Sequence, residues 1–406
     1  MKILMGVPWI PYPPTDGGRV RSYYLIREAS RRHTVSLFCI KNPSDDVKGL
    51  KELERWCRKI HCVPSAISYS MTSKCLSIFN SLPFGLTELD GNAERSLLNF
   101  CKGEDFDLLH LQGMEFIGYL EKFNKGKPLI LDMVDCNSLN YLRRSQWTRD
   151  PIRRLWYLLQ YKKFMWAEKA VLSSPLSVLL TSHVDSECLN QPGRHPEFRN
   201  FVLPDGIDMK PPFYQAEESE PWSLVFTGNM SYYPNEDAVR FFCKQVLPMI
   251  QEKAPQVRLD VLGKAPSPSL VQFAKRSRNV SVLGFVNDFR TEITKRRIFI
   301  CPLRIGTGVK VKLLEAMSVG MPIIATPISV EGLEVEKDKH LLIASSPKEF
   351  AEKVLLALSS PELCNQLGNH ARVKIKERYT WEKMGQDLDR IYSEVAEGKS
   401  CLMAAT

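Results

Sequence analysis

Short apolar runs alternate with amphipathic stretches along the first 200 residues. Residues 3–7, 34–40, 108–111, 129–131, 178–180 and 201–203 lack the polar alternation of a strand wetted on one face, so they read as strands buried on both faces. Between them lie helical patterns such as 19–32, where Tyr24, Leu25, Glu28 and Ala29 recur at helical spacing. Strand–helix alternation predicts βαβ units and a parallel sheet. The pattern stops at Pro204-Asp-Gly-Ile-Asp208 and Lys210-Pro-Pro-Phe-Tyr214. The acidic Glu217-Glu-Ser-Glu-Pro221 that follows reads as structureless linker. Alternation restarts with runs at 224–226, 258–262, 280–283, 298–301, 322–325 and 341–343, and a helix is predicted over 237–250. The chain thus reads as two α/β domains joined near residue 210. A last helix, 381–395, has an apolar side to bury either locally or across the first domain.

Composition narrows the class. At 406 residues, 44% hydrophobic and 25% charged, the chain is neither disordered nor a coiled coil. No stretch approaches 18 uninterrupted apolar residues, so no membrane-spanning helix is predicted. The apolar start is broken by Pro8, Pro11, Pro13 and Pro14, unlike a secretory leader. The eleven cysteines are scattered without a Cys-x-x-Cys pair, which predicts reduced thiols, a cytoplasmic protein and no zinc site.

The net charge of +9 is concentrated. Arg143, Arg144, Arg149, Arg153, Arg154, Lys162, Lys163 and Lys169 face only Asp150 and Glu168 across 143–169, interleaved with Trp147, Trp156, Tyr157, Leu158, Tyr161, Phe164 and Trp166. A basic helix with interfacial aromatics predicts peripheral contact with an anionic membrane; a solvated helix whose aromatics face the core is the open alternative. Outside this one helical stretch no aromatic-interleaved basic ribbon suited to a nucleic-acid strand is present, so no nucleic-acid partner is expected.

Ligands of open α/β sheets bind outside the carboxyl ends of the strands, which makes strand-end loops the candidates. The most specific is Cys301-Pro-Leu-Arg-Ile-Gly306-Thr307-Gly308-Val-Lys310-Val-Lys312-Leu-Leu-Glu315-Ala-Met-Ser-Val-Gly-Met-Pro322. A strand ends, a Gly-x-Gly loop follows, and a helix is predicted from about Val309. Lysines in a first helical turn oppose the helix dipole, and an anionic ligand would remove that conflict. A Gly-x-Gly taken alone is equally a common turn with solvated lysines.

The whole string from Gly306 to Pro322, with Pro327 and Glu331-Gly332 after it, resembles the donor site of family 4 glycosyltransferases. The resemblance extends to Phe226-Thr-Gly228-Asn-Met-Ser-Tyr-Tyr-Pro-Asn235, the Pro204–Asp208 hinge and the helix after Tyr379-Thr-Trp381. It implies the GT-B fold: two Rossmann-like parallel-sheet domains facing across a cleft, an acceptor domain over 1–205 and a donor domain over 206–380. The helix 381–395 is then expected to pack on the first domain. It also implies retaining transfer of a hexosyl group from a nucleoside diphosphate sugar. Glu315 would bind the ribose, and Lys310 and Lys312 would neutralise the diphosphate. Thr307 stands where the family often has a first glutamate, and Gly228-Asn replaces a common Gly-Arg.

In the first domain, Gly17 and Gly18 open a helix after the first strand, either as a second face of the cleft or as a plain helix entry; Arg19 and Arg21 follow them. The resemblance brings His110, at a strand end, beside the transferred sugar, with Gln112 as a lesser candidate; Asp132 and Asp135 are acceptor-side candidates. Asp105–Asp107 and Asp387–Asp389 read as solvated faces, so no metal and no other cofactor is expected. The opening Pro11-Tyr-Pro-Pro-Thr-Asp-Gly-Gly18 resembles enzymes of exopolysaccharide and lipid-linked glycan assembly, implying a glycan or lipid-linked acceptor at the inner membrane face. A nucleotide-sugar epimerase or a non-catalytic nucleotide-sugar binder remains an alternative, whereas a Rossmann dehydrogenase lacks its Gly-x-Gly-x-x-Gly.

Overall fold

The computed structural model describes residues 1–64, 83, 86, 91–123, 126–190 and 192–398, with Ser44, Arg149 and Arg278 excepted. Arg149 of the basic stretch therefore lies outside the described residues. The chain forms two compact units, one of residues 1–205 plus the segment from Trp381, the other of Gly206–Thr380.

The first unit holds a parallel sheet of β1 (Lys2–Val7), β2 (Thr34–Lys41), β3 (Lys59–Pro64), β4 (Leu108–Gln112), β5 (Leu129–Val134), β6 (Ser177–Leu180) and β7 (Arg199–Val202), ordered β3-β2-β1-β4-β5-β6-β7. Its central strands are buried on both faces, as their continuous apolar runs predict. The sequence reading omits β3, an edge strand that is half-buried and interrupted by Lys59 and His61. The second unit repeats the theme with β8 (Glu220–Thr227), β9 (Arg258–Leu262), β10 (Val280–Gly284), β11 (Arg296–Cys301), β12 (Ile323–Ala325) and β13 (Leu342–Ile343), ordered β10-β9-β8-β11-β12-β13. In each sheet the order reverses once, between β1 and β4 and between β8 and β11. Loops leaving those strands flank a crevice where doubly wound folds take ligands.

Two expectations are corrected. Residues 217–221 are not structureless: Ala216–Glu218 is a 3₁₀ turn, and β8 begins at Glu220, whose N–H donates to the Lys295 carbonyl. The helix predicted over 237–250 is broken into Tyr233–Phe241, a π segment Phe242–Val246 and Leu247–Gln251. Pro248 has no N–H to continue an α ladder, and the wider turn accommodates it.

Helix α1 (Gly17–Ser30) is capped by Asp16, which accepts from the Arg19 N–H at 3.1 Å. Helices α2 (Asn137–Trp147) and α3 (Pro151–Leu172) pack as a pair. Short helix α4 (Val311–Ser318) follows the glycine loop, and α5 (Trp381–Ala396) closes the first unit. The α5 residues Trp381, Met384, Leu388, Ile391, Tyr392 and Val395 share one face and are buried in one core with Leu25, Ile26 and Val35. Trp381 stacks on Tyr24, centroids 4.7 Å apart and rings parallel within 1°. Each such large side chain contributes about 1.5–3 kcal/mol by leaving water, so α5 is part of the first unit's core.

The basic helix α3 divides its aromatics. Phe164 is buried and stacks on Tyr141, whereas Ile152, Leu155 and Trp166 are 80%, 71% and 76% exposed. With Lys162 and Lys169 they form an outward stripe at helical spacing, in steps of three, seven, four and three residues. No helix among the described residues is long and apolar enough to cross a membrane.

Candidate functional site

In the second unit, the loops after β8 and β11 bring Gly228, Asn235, Lys312 and Glu315 together. Lys312 Nζ donates to Asn235 Oδ1 at 2.5 Å and lies 4.3 Å from the centroid of the Phe226 ring. A Cβ on Gly228 would stand 2.8 Å from Lys312 Nζ and 2.7 Å from Asn235 Nδ2, so only glycine leaves the ammonium room there. With one hydrogen-bond acceptor among the described residues for three N–H donors, Lys312 has the capacity to hold an anion. Burial pushes its amine down to about 8, with nearby Cys301 and Glu315 acting the other way. Burial likewise pushes the Glu315 carboxyl up to about 7, against the pull of Arg290 and Lys312. An apolar enclosure, a desolvated ammonium and a carboxyl one helical turn apart form a charged pair poised for a polyhydroxylated anion.

Lys310 is placed differently from the sequence expectation. Helix α4 begins at Val311 rather than Val309, and Lys310 is its cap residue instead of a first-turn residue. Its Nζ donates to the carbonyls of Thr307 (3.1 Å) and Gly308 (2.6 Å), so most of its hydrogen-bonding capacity stabilises the loop. Gly306 and Gly308 have φ of 149° and 65°, the backbone that lets those carbonyls converge on it. Thr307 is buried in the same loop. Arg304, outside the sequence candidates, is held by both carboxylate oxygens of Asp237 at 3.0 and 2.6 Å.

In the first unit, Gly18 carries the edge of Trp9: an added Cβ would come within 2.6 Å of the indole ring, whereas nothing lies within 4 Å of one on Gly17. Arg19 is engaged by Asp16 and Asp45. Ser22 Oγ accepts the Trp9 indole N–H at 2.9 Å and lies 2.7 Å from Gln112 Oε1. Asp135, just past β5, accepts from Thr181 Oγ1 at 3.1 Å and follows Val134 at φ 67°, a strained backbone for a β-branched residue.

His110 is not at the strand end. It lies mid-strand, paired with Met5 and Ile130, 1% exposed, with Nδ1 2.7 Å from the Tyr392 hydroxyl and Nε2 3.8 Å from Asp132 Oδ2. His110 is enclosed by Tyr392 and Asp132; the side chain that reaches the end of β4 is Gln112, itself 1% exposed and bonded to Ser22. Asp132 and Arg21 likewise leave the list of ligand contacts. Arg21 Nε donates to Asp132 at 2.7 Å, and its other arm donates to Asp205 and the Leu203 carbonyl at 3.0 Å each. Burial alone would raise both carboxyls. Arg21, helped by His110, holds Asp132 below the usual range, while Asp205 stays above it. This network was invisible in sequence because its members come from α1, β5 and the chain before residue 206.

Asp105–Asp107 and Asp387–Asp389 are spent on cations and backbone: Asp105 pairs with Lys2, Asp107 accepts from the Lys2 N–H, Asp387 meets Arg390, and Asp389 meets Arg32.

Residues 221–360 match the family described as glycosyl transferases group 1. The chain is 22% identical over 396 residues to a 44.6 kDa protein in the cps region of Klebsiella pneumoniae, covering 94% of this chain and 97% of that one. Its fold is similar to that of sucrose-phosphate synthase from Thermosynechococcus elongatus, with a TM-score of 0.71 at 15% identity, covering 98% of this chain and all (100%) of the other. HepE of Anabaena, solved with UDP-glucose, gives a TM-score of 0.66 at 14% identity over 97% of this chain and 100% of that one. The fold is therefore GT-B, and the matched domain supports glycosyltransferase activity.

Proposed function

We propose that the protein transfers a hexosyl group from a nucleoside diphosphate sugar to a glycan or lipid-linked acceptor, with retention at the anomeric carbon. The observation that carries this reading is Lys312, a desolvated ammonium with hydrogen bonds to spare, set beside Gly228 and Glu315 at the β8/β11 switch point. Departure of a nucleoside diphosphate builds negative charge on a phosphate oxygen, and Lys312 with the start of α4 stabilises it there. Glu315 is the group for the ribose hydroxyls. The reading needs no metal and no other cofactor. Similarity to HepE, solved with UDP-glucose, favours a UDP-sugar donor, and similarity to a cps-region protein favours glycan assembly. Retention rests on the resemblance of the 306–322 string to family 4. In this reading the second unit holds the donor and the first unit the acceptor.

Thermal shift against a panel of sugar nucleotides, followed by mass analysis of product with a lipid-linked acceptor, tests it. Stabilisation by a sugar nucleotide in the wild type, and its loss in Lys312→Ala, is expected. No stabilisation by any of them would sink the reading. Incubation with donor alone separates transfer from epimerisation, which would change the sugar without an acceptor.

The stripe of Ile152, Leu155, Lys162, Trp166 and Lys169 adds a peripheral site for an anionic bilayer face. Co-sedimentation with phosphatidylglycerol vesicles is expected to weaken in Leu155→Ser/Trp166→Ser; equal binding to neutral vesicles would argue against it.

A further inference from the structure

We propose that the second unit carries a further ligand site, a polar cavity at the amino ends of its strands that takes an oxyanion borne on a saccharide. The cavity, about 410 Å³, is built from residues of that unit alone, among them Phe213, Tyr214, Gln215, Asn365, Asn369 and Arg372. Tyr214 fixes its level in the sheet, because the hydroxyl donates to the Arg297 carbonyl at 2.9 Å, at the start of β11. The 306–312 loop leaves the opposite end of that strand. The two places are therefore separated by the length of β11, six residues or about 20 Å.

Two guanidinium groups stand here without a carboxylate partner among the described residues. Arg372, on the helix Pro361–Arg378, lies over the Phe213 ring, 4.8 Å from its centroid, and donates to Asn369 Oδ1 at 3.2 Å. A guanidinium stacked in this way keeps N–H donors for a carboxylate or phosphate, which it grips with paired bonds. Arg297, 9% exposed, has no hydrogen-bond partner on Nε or Nη1. Its charge reaches the Tyr214 hydroxyl and the Cys364 thiol, where it acts against the rise that burial gives both. Tyr214 is a wall of the cavity, and Cys364 precedes Asn365 of the lining. Arginine does not shed its proton, so a buried one without a counter-charge costs stability. An anion seated against Tyr214 and Arg372 offsets that cost. The carboxylate of Glu217 does not serve, since it is taken by Asn365 Nδ2 at 3.0 Å.

A space of this size suits a small organic molecule better than a bare ion. Its remaining polar groups are neutral: the amides of Gln215 and Asn369 both donate and accept, as sugar hydroxyls do. Phe213, 40% exposed, adds an apolar face. The combination fits a monosaccharide that carries a carboxylate or a phosphate.

Calorimetric titration of the full chain with glucuronate, glucose 1-phosphate, inorganic phosphate and glucose tests the site. Binding of glucuronate or glucose 1-phosphate is expected, and the tighter of the two identifies the anion. Arg372→Gln is expected to weaken it about 10- to 100-fold, whereas Lys312→Ala leaves it unchanged. Arg297→Met is expected to weaken it as well while raising the unfolding temperature, which a cation serving only the fold would not allow. Glucose or inorganic phosphate binding as tightly as the sugar anions overturns the proposal, and so does binding of none of the four. Binding that survives Arg372→Gln but is lost in Lys312→Ala belongs to the 306–312 loop; it overturns this site and leaves the donor-site reading standing.

Discussion

The β8/β11 and β1/β4 switch points share one topology but are filled in opposite ways. In the second unit the charge beside the strand ends is incompletely satisfied: among the described residues Lys312 has Asn235 as its one hydrogen-bond acceptor, and no donor is bonded to the Glu315 carboxyl. Beneath the strand ends of the first unit the charges close on one another, with Arg21 bracketed by Asp132, Asp205 and a carbonyl. One set of charges is left partly open and the other is paired within the fold. Sequence identity of the residues does not separate the two cases; buried ion-pair partners do, even though Arg21 Nη2 has no hydrogen-bond partner among the described residues.

Breaking the closed set is expected to have the largest effect. Arg21→Ala leaves two buried aspartates without their counter-charge and is expected to cost the first unit about 3–5 kcal/mol, read by calorimetry. If the variant unfolds like wild type, the network is not what holds α1 to the sheet. Lys312→Ala should behave inversely, with unfolding little changed and turnover down about 10²- to 10³-fold. Lys310→Ala is expected to loosen the 306–310 loop and weaken donor binding more than it slows the bound step. Equal kcat losses for the two lysines would erase the distinction drawn here.

A pH titration sharpens the same contrast. Lys312 titrates near 8 when free because burial disfavours its charge, and a bound diphosphate favours that charge. Donor affinity is therefore expected to hold below pH 8 and to fall above it as the free amine loses its proton. An affinity flat to pH 9.5 would mean Lys312 does not meet the phosphates. The smallest effect distinguishes adjacent glycines. Gly17→Ala meets open space in a helix and is expected to stabilise by about 0.5–1 kcal/mol, whereas Gly18→Ala drives Trp9 off its seat and destabilises.

Fold class was legible because parallel strands covered on both faces are nearly pure apolar runs, and twelve of these were readable. The half-buried edge strand β3 carries Lys59 and His61 and looks like loop. The 306–322 loop was legible because its parts are contiguous. His110 and Gln112 lie on the same face of β4 at period two, so only depth along the strand separates them. That depth is decided by Tyr392, 282 positions away, which covers His110. Asn235 carries no site signal of its own in the sequence, because its partner Lys312 lies 77 positions on.

The packing of α5 against α1 also sets an order of assembly. During synthesis, residues 1–205 leave the ribosome long before Trp381–Ala396, and all of Gly206–Thr380 emerges in between. Until then the patch around Tyr24, Leu25 and Ile26 has no cover, so the second unit can complete its core while the first is still waiting for its last helix. A nascent chain halted before Trp381 therefore presents an apolar face for chaperones to hold.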